Sequence, residues 1–256
     1  MENQSLGRSF LFRGPPAYQP RTPWSPLLAL LAVVIIIAAS ILGAVLVLGT
    51  GTVAGTSGGA PGRGMWRQDM SALATLAVWQ VVAVVLTVLA SMLFSGRVRD
   101  VLALRPPGAS TAYLKAVLLM AALQVAVSVV QYSLVPQDMY ADLRPFVKLF
   151  GEQWVLALLV VGVGAPLSEE LLFRGFLLSA LARSRLGFVG AALVTTSLWT
   201  ALHAGYSLAG ILEVFTIGLF FSWLLWRTGS LWVPMFCHAL YNSLIVLVLR
   251  HVPLPT

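Results

Sequence analysis

"APLSEELLFRGF", residues 165–176, sets two adjacent glutamates and an arginine inside a run that otherwise reads as membrane-spanning. A charged side chain at bilayer depth costs at least ~2.5–3.5 kcal/mol on insertion scales, so a chain that keeps three there uses them or neutralises them. On a helix of ~3.6 residues per turn, Glu170 and Arg174 stand four apart and share a face, whereas Glu169 and Arg174 are five apart and diverge. The spacing gives Glu170 a partner and leaves Glu169 to seek another group. Read as architecture, the trio is an ion-pair cluster that locks helices together. Read as function, Glu169 is a working carboxylate.

The surrounding chain makes the membrane reading firm. Its 256 residues are 59% hydrophobic and 10% charged, with a mean hydropathy of +0.89. No soluble domain of this length has that composition, and the class is an all-α, polytopic membrane helix bundle. The net charge of +7 comes from Lys and Arg scattered between apolar runs. They read as topology signals, and no nucleic-acid partner is expected. One cysteine, Cys237, leaves no intrachain disulfide to form.

Apolar runs of the roughly 17–25 residues that cross a bilayer recur near 27–48, 71–94, 111–135, 154–182, 187–204, 208–227 and 230–249. About seven transmembrane helices are expected, or eight if a further or re-entrant segment lies near 143–165. The first run exceeds the ~7–15-residue core of a signal peptide and no small-residue cleavage site follows it, so it is expected to stay attached. Residues 1–26 then form a cytoplasmic N-terminal segment, 27–135 a set of N-terminal transmembrane helices with no assignable role, and 154–249 the half that carries the polar motifs. Residues 49–64 read as a Gly-rich solvated loop. Residues 95–110 read as a basic loop ending in Pro-Pro, and 135–153 as a polar connection with a short interfacial helix.

With the N-terminus inside, Arg8, Arg13, Arg21, Arg97, Arg99, Arg105, Arg183, Arg185 and Arg227 fall on the cytoplasmic side. Arg63, Arg67, Arg144, Lys148 and Arg250 fall on the other. That asymmetry predicts an N-inside, C-outside arrangement for seven spans. Trp24, Trp66, Trp154, Trp226 and Trp232 lie close to helix ends, where interfacial anchors are expected.

Two more polar sites share the apolar background. "SLWTALHAG", residues 197–205, places His203 near the end of the fifth run, and "FCHALYNSL", residues 236–244, puts His238 and Asn242 on one face of the seventh. At ~1.5 Å per residue from the cytoplasmic ends, Glu169 lies ~20 Å deep, His203 ~24 Å, His238 ~12 Å and Asn242 ~18 Å, so the four can meet in one cavity. Cys237 points ~100° away from its neighbour His238 and reads as a small buried hydrophobe rather than a nucleophile. Glu213 and Lys115 are expected to snorkel to the outer and inner interfaces, and Ser168 to pack or cap.

Glu169-Glu170 with Arg174 matches an EExxxR motif, Trp199 to His203 an FxxxH motif with Trp for Phe, and His238 to Asn242 an HxxxN motif. Together they resemble the CAAX prenyl protease 2 and bacteriocin-processing (CPBP or Abi) family of intramembrane endopeptidases, which includes the lysostaphin-resistance type proteins. The resemblance spans about 154–249. It implies a hydrolase in which Glu169 and His203 activate a water that attacks the scissile carbonyl, His238 and Asn242 donate to the oxyanion, and Glu170 and Arg174 support the site. It also implies a membrane-associated protein or peptide substrate within the lipid bilayer and, from the compact chain with short loops, the bacterial cytoplasmic membrane. CAAX-box processing is implied only by the family's eukaryotic branch.

A divalent metal stays open. Glu169, His203 and His238 would make a His₂Glu zinc set, but no HExxH helix is present, and glutamate-driven water attack is the minimal scheme. Two other functions compete: a non-proteolytic partner or immunity protein of the same fold, and a proton-coupled transporter using Glu169 as a relay. Repeat symmetry and broken helices in both halves, which transporters tend to show, are not evident here.

Overall fold

Six long apolar helices and one shorter one account for the expected runs. The computed structural model describes residues 16–48 and 63–252. Arg8, Arg13, the loop 49–62, and the side chains of Arg63, Trp66 and Arg67 lie outside what it describes. The helices are α1 (Pro26–Leu48), α2 (Arg63–Met92), α3 (Val98–Val101), α4 (Thr111–Leu134), α5 (Phe146–Glu152), α6 (Trp154–Leu181), α7 (Gly187–Ala201), α8 (Leu208–Thr228) and α9 (Trp232–His251). No strand occurs among the described residues. Helices α1, α2, α4, α6, α8 and α9 are long and apolar enough to cross a membrane. In lipid only closed hydrogen-bonding patterns survive, and a helix closes its own.

Helix α6 is the axis. Every residue from Glu170 to Leu181 is buried, whereas α1, α2 and α4 expose Val34, Ile35, Val81, Leu118, Val125 and Val129 outward, as lipid-facing helices do. Helices α1 and α2 pair and lie along one flank of α6, with α7 and α9 against its other sides; α8 packs on α7 and α9, and α4 covers α8 and α9. Two π-helical stretches, Leu158–Gly164 and Glu170–Leu177, bracket the α-helical Ala165–Glu169. Such stretches inside long helices frequently mark functional sites. Pro166 explains part of the first. Having no N–H, it cannot satisfy the Val161 carbonyl in the i→i−5 register, and Asn242 Nδ2 on α9 donates to that carbonyl instead (3.0 Å).

The connections sort into two ends. At one, Tyr18 N–H donates to Trp226 O (3.2 Å), Leu231 N–H to Ala103 O (2.9 Å) and Arg183 to Thr22 O. These bonds tie together the segment before α1, the loop 93–110, the α6–α7 turn and the α8–α9 turn. Arg105, with Arg21 and Arg97 nearby, holds the Asp100 carboxyl below its usual range there. At the other end, Asp142 accepts from Ser207 N (2.7 Å) and Ser207 Oγ (2.7 Å), joining the α4–α6 connection to the Ser207 cap of α8.

Three expectations need adjustment. The fifth run is helical only over 15 residues, about 22 Å at 1.5 Å per residue. It stops at Ala201 because the chain turns through 202–207 to cap α8, so His203 sits in that turn rather than on the helix. The region 143–165 holds the seven-residue α5 and no eighth span. Trp24 is no exposed anchor: it is 8% exposed, donates to Ala90 O (3.0 Å), and meets Phe94 and Phe176 edge-on.

Helices α7 and α8 approach α6 closely at Gly218. A Cβ there would lie 2.7 Å from Thr196 Cγ2 and 2.9 Å from both Arg174 Nη2 and Trp199 Cε3. Gly218→Ala is expected to cost roughly 1–3 kcal/mol through overpacking, read as a lowered unfolding midpoint of the detergent-purified protein.

Candidate active site

The ion pair expected from spacing is present. Arg174 Nη1 donates to Glu170 Oε1 at 3.0 Å, with both side chains fully buried. The same oxygen lies 3.0 Å from His238 Nδ1. A carboxylate of this kind only accepts, so Nδ1 carries the proton and Nε2 is the nitrogen left for chemistry. Arg174 Nη2 also donates to Gly218 O (3.4 Å). Glu170 Oε2 and Arg174 Nε have no hydrogen-bond partner, but the guanidinium lies 4.2 Å from the centroid of the Trp199 ring, whose π face attracts a cation.

Trp199 also answers what Glu169 pairs with. Its indole Nε1–H donates to Glu169 Oε2 at 2.6 Å, and its backbone carbonyl lies 3.3 Å from His203 Nδ1. The carbonyl fixes the His203 proton on Nδ1 as Glu170 does for His238. Trp199 meets both imidazoles edge-on, at 5.2 Å for His203 and 5.7 Å for His238. The Trp in place of Phe in the FxxxH motif supplies this bond, because phenylalanine has no N–H to offer. His238 is stacked on Phe221 at 4.8 Å, and its Nε2 lies 4.0 Å from Glu169 Oε2.

Glu169, His203, His238 and Asn242 line one cavity of about 440 Å³, with Trp199, Tyr206, Glu213 and Asp142. Glu170 and Arg174 stand behind its wall. The Glu169 side chain keeps 15% exposure while that of Glu170 has none, which divides the two as the spacing predicted. Asn242 faces the cavity with its amide engaged at Val161. Tyr206 stacks edge-on against His203 at 5.3 Å. Burial raises its phenol above the ordinary range, with Asp142, Glu169 and Glu213 adding to the shift, so it stays neutral.

Glu213 does not snorkel. It accepts from Gln124 Nε2 (2.8 Å), Gln131 Nε2 (2.8 Å) and Tyr241 O–H (3.1 Å), neutral donors that hold a carboxylate in the cavity without a counter-charge. Two glutamines seven apart share a face of apolar α4, and that pairing was the sequence signal for this site. Cys237 is buried with Sγ 3.6 Å from Ala116 O, and Ser168 donates to Ala165 O at 3.1 Å. No group of three His, Cys, Asp or Glu side chains among the described residues is placed to hold a metal ion. Glu169 Oε2 and His238 Nε2 approach to 4.0 Å, and His203 does not join them as a three-ligand set among the described residues.

Residues 151–244 match the family described as "Type II CAAX prenyl endopeptidase Rce1-like". The resemblance carried by the three motifs is borne out over this part of the chain. Among curated proteins, the chain is 38% identical over 103 residues to an "Uncharacterized 24.3 kDa protein" of Escherichia coli, spanning 37% of this chain and 47% of that one. It is 30% identical over 93 residues to the "Putative membrane peptidase YdiL" of Bacillus subtilis (strain 168), spanning 36% and 37%. The chain thus spans about half or less of the length of the curated relatives it matches. No solved structure matches it.

Removing one member of a buried pair strands the other at a cost of about 3–5 kcal/mol. Arg174→Ala is expected to lower the unfolding midpoint accordingly, while the double variant Glu170→Gln/Arg174→Met recovers most of the loss. A double variant no more stable than Arg174→Ala would show that the charges are not what the fold depends on.

Proposed function

We propose that this chain is an intramembrane endopeptidase that hydrolyses a peptide bond in a membrane-associated protein or peptide. The observation that carries the reading is one cavity-lining carboxylate, Glu169, separated by its Trp199 hydrogen bond from the buried Glu170–Arg174 pair and facing two histidines of defined tautomer. In this scheme Glu169 uses its free oxygen to take a proton from a water as that water attacks the scissile carbonyl, and later returns the proton to the departing amine. His203, held by the Trp199 carbonyl, presents Nε2 to the same water. His238 in its protonated form, and the second amide hydrogen of Asn242, donate to the developing oxyanion.

A second hollow, of about 320 Å³ and almost wholly apolar, adjoins the catalytic cavity. It lies between α4 and α9 and shares Gln124, Tyr140, Leu143, Tyr241 and Ile245 with it. A peptide with a neighbouring apolar or lipid-modified segment fits this pair of compartments, which supports a substrate drawn from the membrane.

Glu169→Gln keeps the size and one acceptor oxygen but removes the base, so a set of new protein N-termini seen by mass spectrometry with the wild-type protein should vanish with an equally expressed variant. An unchanged set, under conditions where deleting the protein has a phenotype, would favour the binding or transport readings. Trp199→Phe keeps the ring over Arg174 and removes a hydrogen bond to a charged group worth about 1.5–3 kcal/mol. The expected result is a fall of roughly 10- to 100-fold in kcat with little change in KM, together with a lowered unfolding midpoint; equal kcat would reduce Trp199 to packing.

A further inference from the structure

The cavity is not central along the bundle. Most of its lining comes from one end of the bundle: Gln124, Ser128 and Gln131 from the last part of α4, Val161 and Ala165 from the first half of α6 with Glu169 near its middle, Gly210, Glu213 and Ile217 from the first half of α8, and the connections 138–150 and 202–207, while α9 contributes His238 to Ile245 across its middle. That is the end tied by Asp142 and Ser207. At the opposite end Leu177, Leu178, Leu181 and Leu225 are buried and line neither hollow.

Charge is distributed along the same axis. The closed end gathers Arg21, Arg97, Arg99, Arg105, Arg183, Arg185 and Arg227, with Lys115 at the start of α4. The open end holds Arg144, Lys148 and Arg250, preceded at the start of α2 by Arg63 and Arg67, and it carries Asp138 and Asp142 at the cavity. Short loops rich in Arg and Lys are retained on the cytoplasmic side. The closed end is also the one that the segment before α1 straps. We infer that the catalytic cavity opens away from the cytoplasm, and that its substrate is an extracytoplasmic segment of a membrane-associated protein or peptide. This rests on the peptidase reading for the word substrate, but the direction of opening rests only on the lining residues and the charge.

The chemistry of the open end agrees with that placement. Asp138, Asp142, Glu169 and Glu213 line the cavity, and among the described residues no Lys or Arg does. A basic segment, which the same rule holds back in the cytoplasm, is thus kept from a site whose charge would otherwise attract it. What reaches the cavity is a stretch that has already crossed, or that sits at the outer leaflet.

Substituted-cysteine labelling tests the direction without any assay of activity. In a Cys237→Ala background, single cysteines replace Gln137 at the open end, Ser128 inside the cavity and Ala109 in the basic loop. Gln137 and Ala109 are exposed and Ser128 is half-buried. Intact cells are treated with a membrane-impermeant maleimide, before and after permeabilisation. Gln137→Cys and Ser128→Cys are expected to label in intact cells, and Ala109→Cys only after permeabilisation. The reverse pattern, or a Ser128→Cys that labels only together with Ala109→Cys, overturns the inference. N-terminal mass spectrometry with Glu169→Gln adds the second arm. Lost termini in extracytoplasmic segments support the inference in full, and lost termini confined to cytoplasmic segments overturn it. Outward labelling with no lost termini would sink the peptidase reading while leaving the orientation standing.

Discussion

The buried pair between Glu170 and Arg174 is the constraint on which the rest depends. Two charges without exposure are costly unless neighbouring groups offset their desolvation, and three further helices contribute to that. Helix α9 supplies His238 to Glu170, α8 supplies the Gly218 carbonyl, and α7 lays the Trp199 ring over the guanidinium. Each demand fixes a helix position. Gly218 has to be glycine for α8 to come near enough, and α7 has to turn Trp199 inward. Once Trp199 is so placed, its N–H and its carbonyl point at Glu169 and His203. The groups that line the cavity are thus oriented by the elements that neutralise the buried pair behind it.

The same reasoning accounts for the irregular course of α6. A regular helix through residues 158–177 would present a continuous ladder to a lipid-like interior. The two π-helical stretches and Pro166 instead release the Val161 carbonyl, which Asn242 takes up, so the helix that carries the carboxylates is pinned to the helix that carries His238. Polar side chains here serve the backbone and the cavity together, as buried polar networks must when water is absent.

How far this was legible in the sequence depended on distance along the chain. The Glu170–Arg174 pairing is a local i,i+4 relation, and the exposed residue of the Glu169–Glu170 pair followed from it. Membrane class and the positions of the long helices followed from apolar runs. The partner of Glu169 did not follow, because an aromatic replacing an aromatic reads as packing until its N–H is seen to face a carboxylate 30 residues away. Glu213 was misjudged for a similar reason: its donors sit on α4 and α9, and a carboxylate one turn inside a helix looks free to reach an interface when they are not in view. The end of α7 was missed because the apolar pattern ran on past Ala201 while the need to cap α8 at Ser207 came from the other side of the turn.

That short helix has a consequence for the bilayer. At about 22 Å, α7 falls some 8 Å below the ~30 Å hydrocarbon thickness. The shortfall is at the end where His203 and Tyr206 stand. A mismatch of that size is met by thinning of the surrounding lipid or by polar groups drawn inward. On the peptidase reading, either response would bring bulk water, the second reactant of a hydrolysis, nearer to the His203 end of the cavity.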